Sequence, residues 1–216
     1  MTLPMLAGEK PIATATPRRP GPLRRLWRLA VRIAGLFLLV SVIWTVIYAV
    51  VPVPITPLMV IRLVEGYGFS KDWVAYEQIS PNLARAAIAS EDSGFCAHYG
   101  FEWEAIRNAW HRNQHSSRIR GGSTISNQTA KNAFLWPDRT YVRKALEYYF
   151  TGLIELIWGK KRILEVYLNV VEFGPGVYGA EAASQAYFHK PASALSRREA
   201  ALLVAVLPLP LKYSDR

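Results

Sequence analysis

Residues 139–158 read RTYVRKALEYYFTGLIELIW. Val142, Leu146, Tyr149, Leu153 and Ile157 recur at steps of three and four, which puts them on one face of an α-helix. Working downstream, residues 160–170 continue as helix, a glycine loop spans 174–179, and helices follow at 179–188 and 197–207. The last opens on a capping box, Ser196-x-x-Glu199. Working upstream, a Gly-Ser-Thr loop at 121–124 leads into a polar helix ending near Phe134, and residues 101–113 read as helix too. Ser80-Pro81 and Thr56-Pro57 each pair an N-cap with proline at the first helical position. They open helices over 81–92 and over the oily stretch Pro57–Tyr67. No convincing alternating strand and no internal repeat is visible, so the fold class predicted is all-α.

From Ile33 to Val51 run 19 residues without a charge, IAGLFLLVSVIWTVIYAVV. At about 1.5 Å per residue such a helix nearly crosses a hydrocarbon core of roughly 30 Å. Trp27 flanks one end, and Trp44 and Tyr48 sit near the other, as interfacial aromatics do. A cleaved signal peptide has a shorter apolar core, and Ala49-Val50-Val51 is a poor cleavage site. The run therefore reads as a permanent transmembrane anchor. Residues 1–32 hold seven Lys and Arg against one Glu. The positive-inside rule makes them a basic cytoplasmic tail, leaves 33–51 as a single span and puts 52–216 outside. The outer segment is long enough for its own core, so its folding is expected not to need the anchor. The whole chain is basic, with a formal net charge of +10 and a pI near 9.9. That balance suits nucleic acid, a membrane surface or a phosphate-bearing substrate. Cys96 is the only cysteine, which excludes an internal disulfide.

Chemistry-bearing residues are few. Leu83, Ala87 and Glu91 fall four apart, so Glu91 ends an apolar stripe. A partly desolvated carboxylate there is a better proton acceptor than an exposed one; the ordinary alternative is a structural partner for an arginine. Gly121-Gly122-Ser123-Thr124 precedes a helix carrying Asn127, Gln128 and Lys131. Hydroxyls, amide N–H groups and a lysine one turn on can hold phosphate, or simply cap a solvated helix. Arg139, Arg143, Lys144 and Glu147 open the long helix, where Arg143 and Glu147 can pair on the surface at i, i+4. Gly174-x-Gly176-x-x-Gly179 matches a dinucleotide fingerprint, but no strand–helix–strand context surrounds it and a structural turn is expected instead. His98, His111, His115 and His189 show no paired metal spacing, so no metal site is expected from them. No Ser-x-x-Lys occurs, which excludes a penicillin-binding acyl-transferase site.

These residues resemble a known family. EDSGFCAHYG at 91–100 is similar to the E-D-x-x-F-x-x-H-x-G signature of peptidoglycan glycosyltransferases. GGSTISNQ at 121–128 resembles their second signature, G-G-S-T-I-T-Q-Q, with Ser126 and Asn127 departing from it. Arg143-Lys144-x-x-Glu147 resembles the third, and Lys160-x-x-Ile163-Leu164-Glu165-x-Tyr167-Leu168-Asn169 the fourth. The glycine loop, Tyr187-Phe188 and Glu199-Ala200-Ala201-Leu202-Leu203 resemble the fifth. The anchor and the missing transpeptidase region point to the monofunctional biosynthetic transglycosylase branch.

The resemblance implies a lysozyme-like all-α domain with a membrane-dipping jaw. It implies polymerisation of lipid II onto a growing lipid-linked glycan strand, with undecaprenyl diphosphate leaving, at the inner membrane with the catalytic domain periplasmic. Glu91 is then the base, Glu147 the second acidic position, and Lys131, Arg139, Arg143 and Lys144 face the diphosphate. Ser123, Thr124 and Gln128 position the donor, and the shorter Asn127 puts one donor contact in question. No cofactor is required, although a divalent cation such as Mg2+ or Mn2+ can sit at the diphosphate. The partners implied are membrane and cell-division or cell-wall synthesis proteins, not nucleic acid. The alternatives are a lysozyme-like glycan hydrolase, with no diphosphate to neutralise, and a non-catalytic membrane-tethered cell-wall scaffold.

Overall fold

The computed structural model describes residues 21–102, 107 and 123–213. Most of the helix expected over 101–113, together with Gly121 and Gly122, lies outside the described residues. Contacts divide the chain into two compact units, the first ending at Ser41 and the second starting at Val42.

Helix α1 (Pro22–Val50) begins well before the uncharged run, so Arg24, Arg25, Arg28 and Arg32 lie on its first turns. It is long and apolar enough to cross a membrane, and its residues through Val40 are exposed. Its last two turns belong to the second unit. Thr45 and Tyr48 are buried there, and Trp44 and Tyr48 pack on Phe134 with ring centroids 5.5 and 5.7 Å away. Trp158 Nε1 donates to the Thr45 carbonyl at 2.8 Å. Arg162 Nη2 donates to the carbonyls of Tyr48 (2.8 Å) and Val51 (2.6 Å). A helix end leaves its last carbonyls without intrahelical donors and carries partial negative charge, and a guanidinium answers both needs. The core of the second unit thus includes the end of α1, which the sequence reading had assigned wholly to the span.

Helix α2 (Pro57–Val64) is capped by Thr56, whose hydroxyl accepts from the Met59 N–H. It stops short of Tyr67, in a turn where Gly66 takes a positive φ of 88°. Strand β1 (Ser70–Lys71) and helix α3 (Pro81–Glu91) follow, the latter capped by Ser80. Helices α4 (Ile125–Phe134), α5 (Tyr141–Ile157) and α6 (Lys160–Val170) form the centre, with α4 packed against both of the others. Phe134 stacks on Phe150 at 4.5 Å, locking the end of α4 to the middle of α5. Helices α7 (Ala180–Phe188), α8 (Arg197–Val206) and α9 (Pro210–Tyr213) complete the described chain, and α8 packs on α3.

Three findings depart from the sequence reading. A small sheet exists: β2 (Glu172–Gly174) and β3 (Val177–Tyr178) pair antiparallel, and β1 joins β3 in parallel. The glycine loop is the turn of this hairpin. Gly176 has φ +68° with the Gly68 carbonyl oxygen 2.7 Å from where a Cβ would stand, and Gly179 has φ +83° against Asn169. The glycines serve backbone geometry, as expected of a structural turn. Second, α4 is not a solvated polar helix. Ser126, Asn127, Thr129 and Asn132 are all buried, which is tolerable because Ser126 Oγ bonds Glu155 (2.5 Å), Thr151 donates to Asn127 (2.9 Å) and Thr129 donates back to Ile125 (2.8 Å). Third, the buried face of α5 is Arg143, Glu147, Phe150, Thr151 and Ile154. Of the stripe read from periodicity, Val142 is exposed and Leu146, Tyr149, Leu153 and Ile157 are half-buried.

Candidate active site

Helix α4 exposes only two residues even partly, Gln128 and Lys131, which are one turn apart on one face. Everything else on it is buried, so the helix is a rigid rail that presents an amide and an amine to one side. Glu91, the last residue of α3, meets that amide: Gln128 Nε2 donates to Glu91 Oε2 at 2.9 Å. Tyr167 of α6 donates its hydroxyl to Gln128 Oε1 at 3.4 Å. The chain Tyr167–Gln128–Glu91 thus fixes which end of the amide faces the carboxylate. Burial, then the nearby Glu91 and Asp92, pushes the Tyr167 hydroxyl well above its ordinary range, so it remains a donor. Among the described residues only Gln128 hydrogen-bonds Glu91, which leaves carboxylate lone pairs for a substrate proton.

The α3–α4 junction is set by Asp92. Its buried carboxylate accepts from the Ile125 N–H at 2.9 Å and from His98 Nε2 at 2.8 Å. The first placement satisfies a free donor at the start of α4 and complements the helix dipole. His98 Nδ1 accepts from the Gly100 N–H at 3.1 Å, which assigns the other ring nitrogen as the donor to Asp92. Thr124 caps α4 by accepting from the Asn127 N–H (3.1 Å) and donates to the Gly100 carbonyl (2.7 Å). Its hydroxyl is buried and engaged on both sides, so a capping role replaces the donor-positioning role expected of it. Ser123 is half-buried beside it. Asn127 points inward to Thr151, so its shorter arm concerns core packing rather than a substrate contact.

Past Lys131 the character changes from carboxylate to cation. Arg143 Nη1 donates to Glu147 Oε2 at 2.5 Å, and Lys144 Nζ pairs with Glu147 Oε1. The i, i+4 pair expected on the surface is instead almost fully buried. Arg143 Nε is also buried and has no hydrogen-bond partner among the described residues. Lys131 makes no hydrogen bond or ion pair among the described residues. Burial pulls its amine below the usual lysine range; Glu147 and, more weakly, Glu91 oppose this, while Arg143 and Lys144 add to it. One carboxylate, Glu147, is therefore shared among three cations, a local excess of positive charge beside a low-dielectric wall. Arg139 is exposed; with Thr140, Tyr141, Arg143 and Lys144 it lines an open surface pocket that extends the positive patch outward.

The sequence matches the Transglycosylase family over residues 59–216. The chain belongs to that family. Over 172 residues it is 55% identical to the biosynthetic peptidoglycan transglycosylase of Caulobacter vibrioides, covering 80% of this chain and 75% of that one. It is 54% identical over 192 residues to the protein of the same name from Rhodospirillum centenum (88% and 83% covered). It is 48% identical over 208 residues to that of Pasteurella multocida (91% and 84% covered).

Every candidate site residue falls inside the matched range. The structure brings Glu91, Gln128, Lys131, Arg143, Lys144 and Glu147 into one electrostatically coupled group, with Arg139 at its rim. Three residues not singled out as site candidates prove to hold it: Asp92, His98 and Tyr167. Their signal was present, because each stands at a fixed place in the signatures quoted above, but a spacing does not say which side chains touch. The donor set does not fit a protein-held divalent cation. Both Glu147 oxygens already face cations, and no group of three acidic, His or Cys side chains gathers among the described residues.

Proposed function

We propose that this chain is a peptidoglycan glycosyltransferase that polymerises lipid II, with α1 as its membrane anchor, the basic tail cytoplasmic and the catalytic unit on the outer side of the inner membrane. The observation that carries the reading is the polarity of the site: a carboxylate with open lone pairs at one end and an undercompensated cation cluster at the other. Glycosyl transfer from a lipid diphosphate needs those two ends. The acceptor 4-hydroxyl gives its proton to Glu91 as its oxygen attacks the anomeric carbon of the donor. The C1–O bond to the diphosphate breaks, and undecaprenyl diphosphate leaves as a β-1,4 bond forms. Lys131 and Arg143 meet the developing negative charge, where fixed cations beside a dry wall are worth more than in water. Glu147 holds Arg143 and Lys144 in place rather than touching the proton. Gln128, oriented by Tyr167, holds the Glu91 carboxylate against the rail. No step is routed through a divalent cation; one that accompanies the substrate would be held by the diphosphate itself.

The oily helix α2 supports an interfacial role in feeding the lipid-linked substrate to this cleft. Met59 is buried, while Val60, Leu63 and Val64 are exposed on its outer side. A purified full chain given labelled lipid II should produce a ladder of long glycan products. Shortening of preformed glycan with no polymer made from lipid II would replace the reading with the hydrolase.

A further inference from the structure

Arg62 is the one charged residue of α2, PLMVIRLV, and its guanidinium is divided between two carboxylates. Nη1 donates to Glu65 Oε2 at 2.7 Å, a local i, i+3 pair whose acid is 44% exposed. Nε faces Glu172 Oε1 of β2 at 3.4 Å, and that acid is only 6% exposed. The second contact reaches across the fold to the hairpin, and it is poorly made. Arg62 Nε and Glu172 Oε1 are both buried without a hydrogen-bond partner among the described residues, and so is the hydroxyl of Tyr178, which stands opposite Glu172 in the β2–β3 register. Of the four such atoms among the described residues, Arg143 Nε alone lies elsewhere. Buried polar atoms are nearly always hydrogen-bonded, and a buried ion pair offsets the cost of leaving water only when its geometry is good. This pair is therefore a weak tie between α2 and the hairpin, close to breaking even.

The groups that face Glu172 are few. Arg62 comes from α2, Glu65 from the turn after it, Tyr178 from β3, and the Gly176 N–H from the hairpin turn. Helices α8 and α9 also pack on β2, and no charged side chain of theirs acts on the carboxylate. Burial has the largest influence and raises the Glu172 pKa above the ordinary 4.5; Arg62 and the Gly176 N–H oppose it, and Glu65 adds to it. Tyr178 is itself raised by burial and stays neutral.

We infer that Arg62 and Glu172 form a proton-operated latch on the end of α2: an ionised Glu172 shares the guanidinium and ties α2 to the hairpin, and a protonated Glu172 yields it wholly to Glu65. Opening strands no charge inside, because Glu172 is then neutral and Arg62 keeps both Glu65 and the Tyr67 ring 5.4 Å below it. The helix end has room to move. Met59 fixes the first half of α2 in the core, Val64 at its end is 83% exposed, and a Cβ at Gly66 or Gly68 in the following turn would meet nothing within 4 Å. The sign follows from linkage. A carboxyl whose pKa is raised by folding adds stability as pH falls through that value, so the fold gains while the helix end loosens. A purely structural bridge would lose both together. The bearing of the latch on substrate delivery rests on the interfacial role proposed for α2 above.

The test uses the full chain with Cys96→Ser and a nitroxide at Val64→Cys, in phospholipid vesicles, followed by electron paramagnetic resonance from about pH 8 to about pH 4. The mobile component should grow several-fold as pH falls, with a midpoint above that of an ordinary glutamate. Adding Glu172→Gln should give the mobile spectrum at every pH without lowering the melting temperature. Adding Glu65→Gln should move the midpoint down, because Arg62 then serves Glu172 alone. A parent spectrum that does not change with pH, or a Glu172→Gln protein that still titrates, overturns the latch. So does a Glu172→Gln protein that melts several degrees lower with an unchanged spectrum, which is the behaviour of a structural bridge. Unlabelled full chain is given lipid II alongside. A glycan ladder beside an invariant spectrum overturns the latch and leaves the proposed function standing; a missing ladder overturns that function, and the spectrum still decides the latch.

Discussion

Glu91 and Glu147 are the two acidic residues of one site, and their surroundings separate them. Glu91 is half-buried at a helix end, with one neutral amide on one oxygen. Glu147 is buried within a helix, with a guanidinium and an ammonium on its two oxygens. A proton delivered to Glu147 would have to displace one of its two cations. A proton delivered to the other oxygen of Glu91 displaces no partner among the described residues. The roles follow from the neighbours rather than from the residue type, which is the same at both positions.

Substitutions at five positions sharpen or break that contrast, in falling order of effect. Glu91→Gln removes the acceptor but retains an oxygen for Gln128, so polymerisation should fall about 10²–10⁴-fold with the melting temperature unchanged. More than about a tenth of wild-type turnover would be too little loss for a general base and would remove Glu91 from that role. Glu147→Gln acts on folding as well as rate. Removing one member of a buried ion cluster costs about 3 kcal/mol, and thermal melts should show a drop of about 6–12 °C. An unchanged melt would mean that the cluster is not structural.

Lys131→Ala should weaken donor use by about 10–100-fold, the worth of a charge-assisted contact. It should raise KM more than it lowers kcat. The pH dependence has a definite sign. Burial lowers the Lys131 pKa, so the charged form that binds diphosphate is lost as pH rises through a value below the ordinary 10.5. Donor affinity should decline on the alkaline side earlier than a normal lysine allows, and Lys131→Arg, which stays charged, should remove that decline. Arg139→Ala is the surface counterpart: being exposed, its contribution should shrink on raising salt, unlike that of Lys131. Equal salt dependence for the two variants would contradict their placement. Tyr167→Phe is the mildest. It removes the hydroxyl that orients Gln128, which is worth about 0.5–1.5 kcal/mol, and so should lower kcat about 2–10-fold with KM little changed.

Much of this was legible in the chain. Thr56, Ser80 and Ser196 cap the helices expected of them, and Glu91 does end the α3 stripe. Periodicity put Val142, Leu146, Tyr149, Leu153 and Ile157 on one face of α5, and all of them except the exposed Val142 pack half-buried against the core. It missed the deeper face, where Arg143, Glu147 and Thr151 are buried, because the rule assumes that charged and hydroxyl side chains face water. The same assumption made α4 look solvated, because Ser126, Asn127 and Thr129 count as polar whether their partners are water or Glu155, Thr151 and a backbone carbonyl. The β1–β3 pairing and the Trp158–Thr45 bond join segments more than a hundred residues apart, and neither leaves a local trace. The roles of Asp92, His98 and Tyr167 needed coordinates for the same reason.

The central claim, that proton acceptance at Glu91 and diphosphate binding at the cations are separate functions of separate ends, is tested most directly by measuring lipid II binding rather than turnover. The measurement is the Kd of the full-length Glu91→Gln and Lys131→Ala proteins for labelled lipid II in detergent micelles. Glu91→Gln should bind within about 2-fold of wild type while failing to polymerise, and Lys131→Ala should bind about 10–100-fold more weakly. If Glu91→Gln instead loses affinity in proportion to its loss of turnover, the carboxylate is a binding group and the division between the two ends is contradicted.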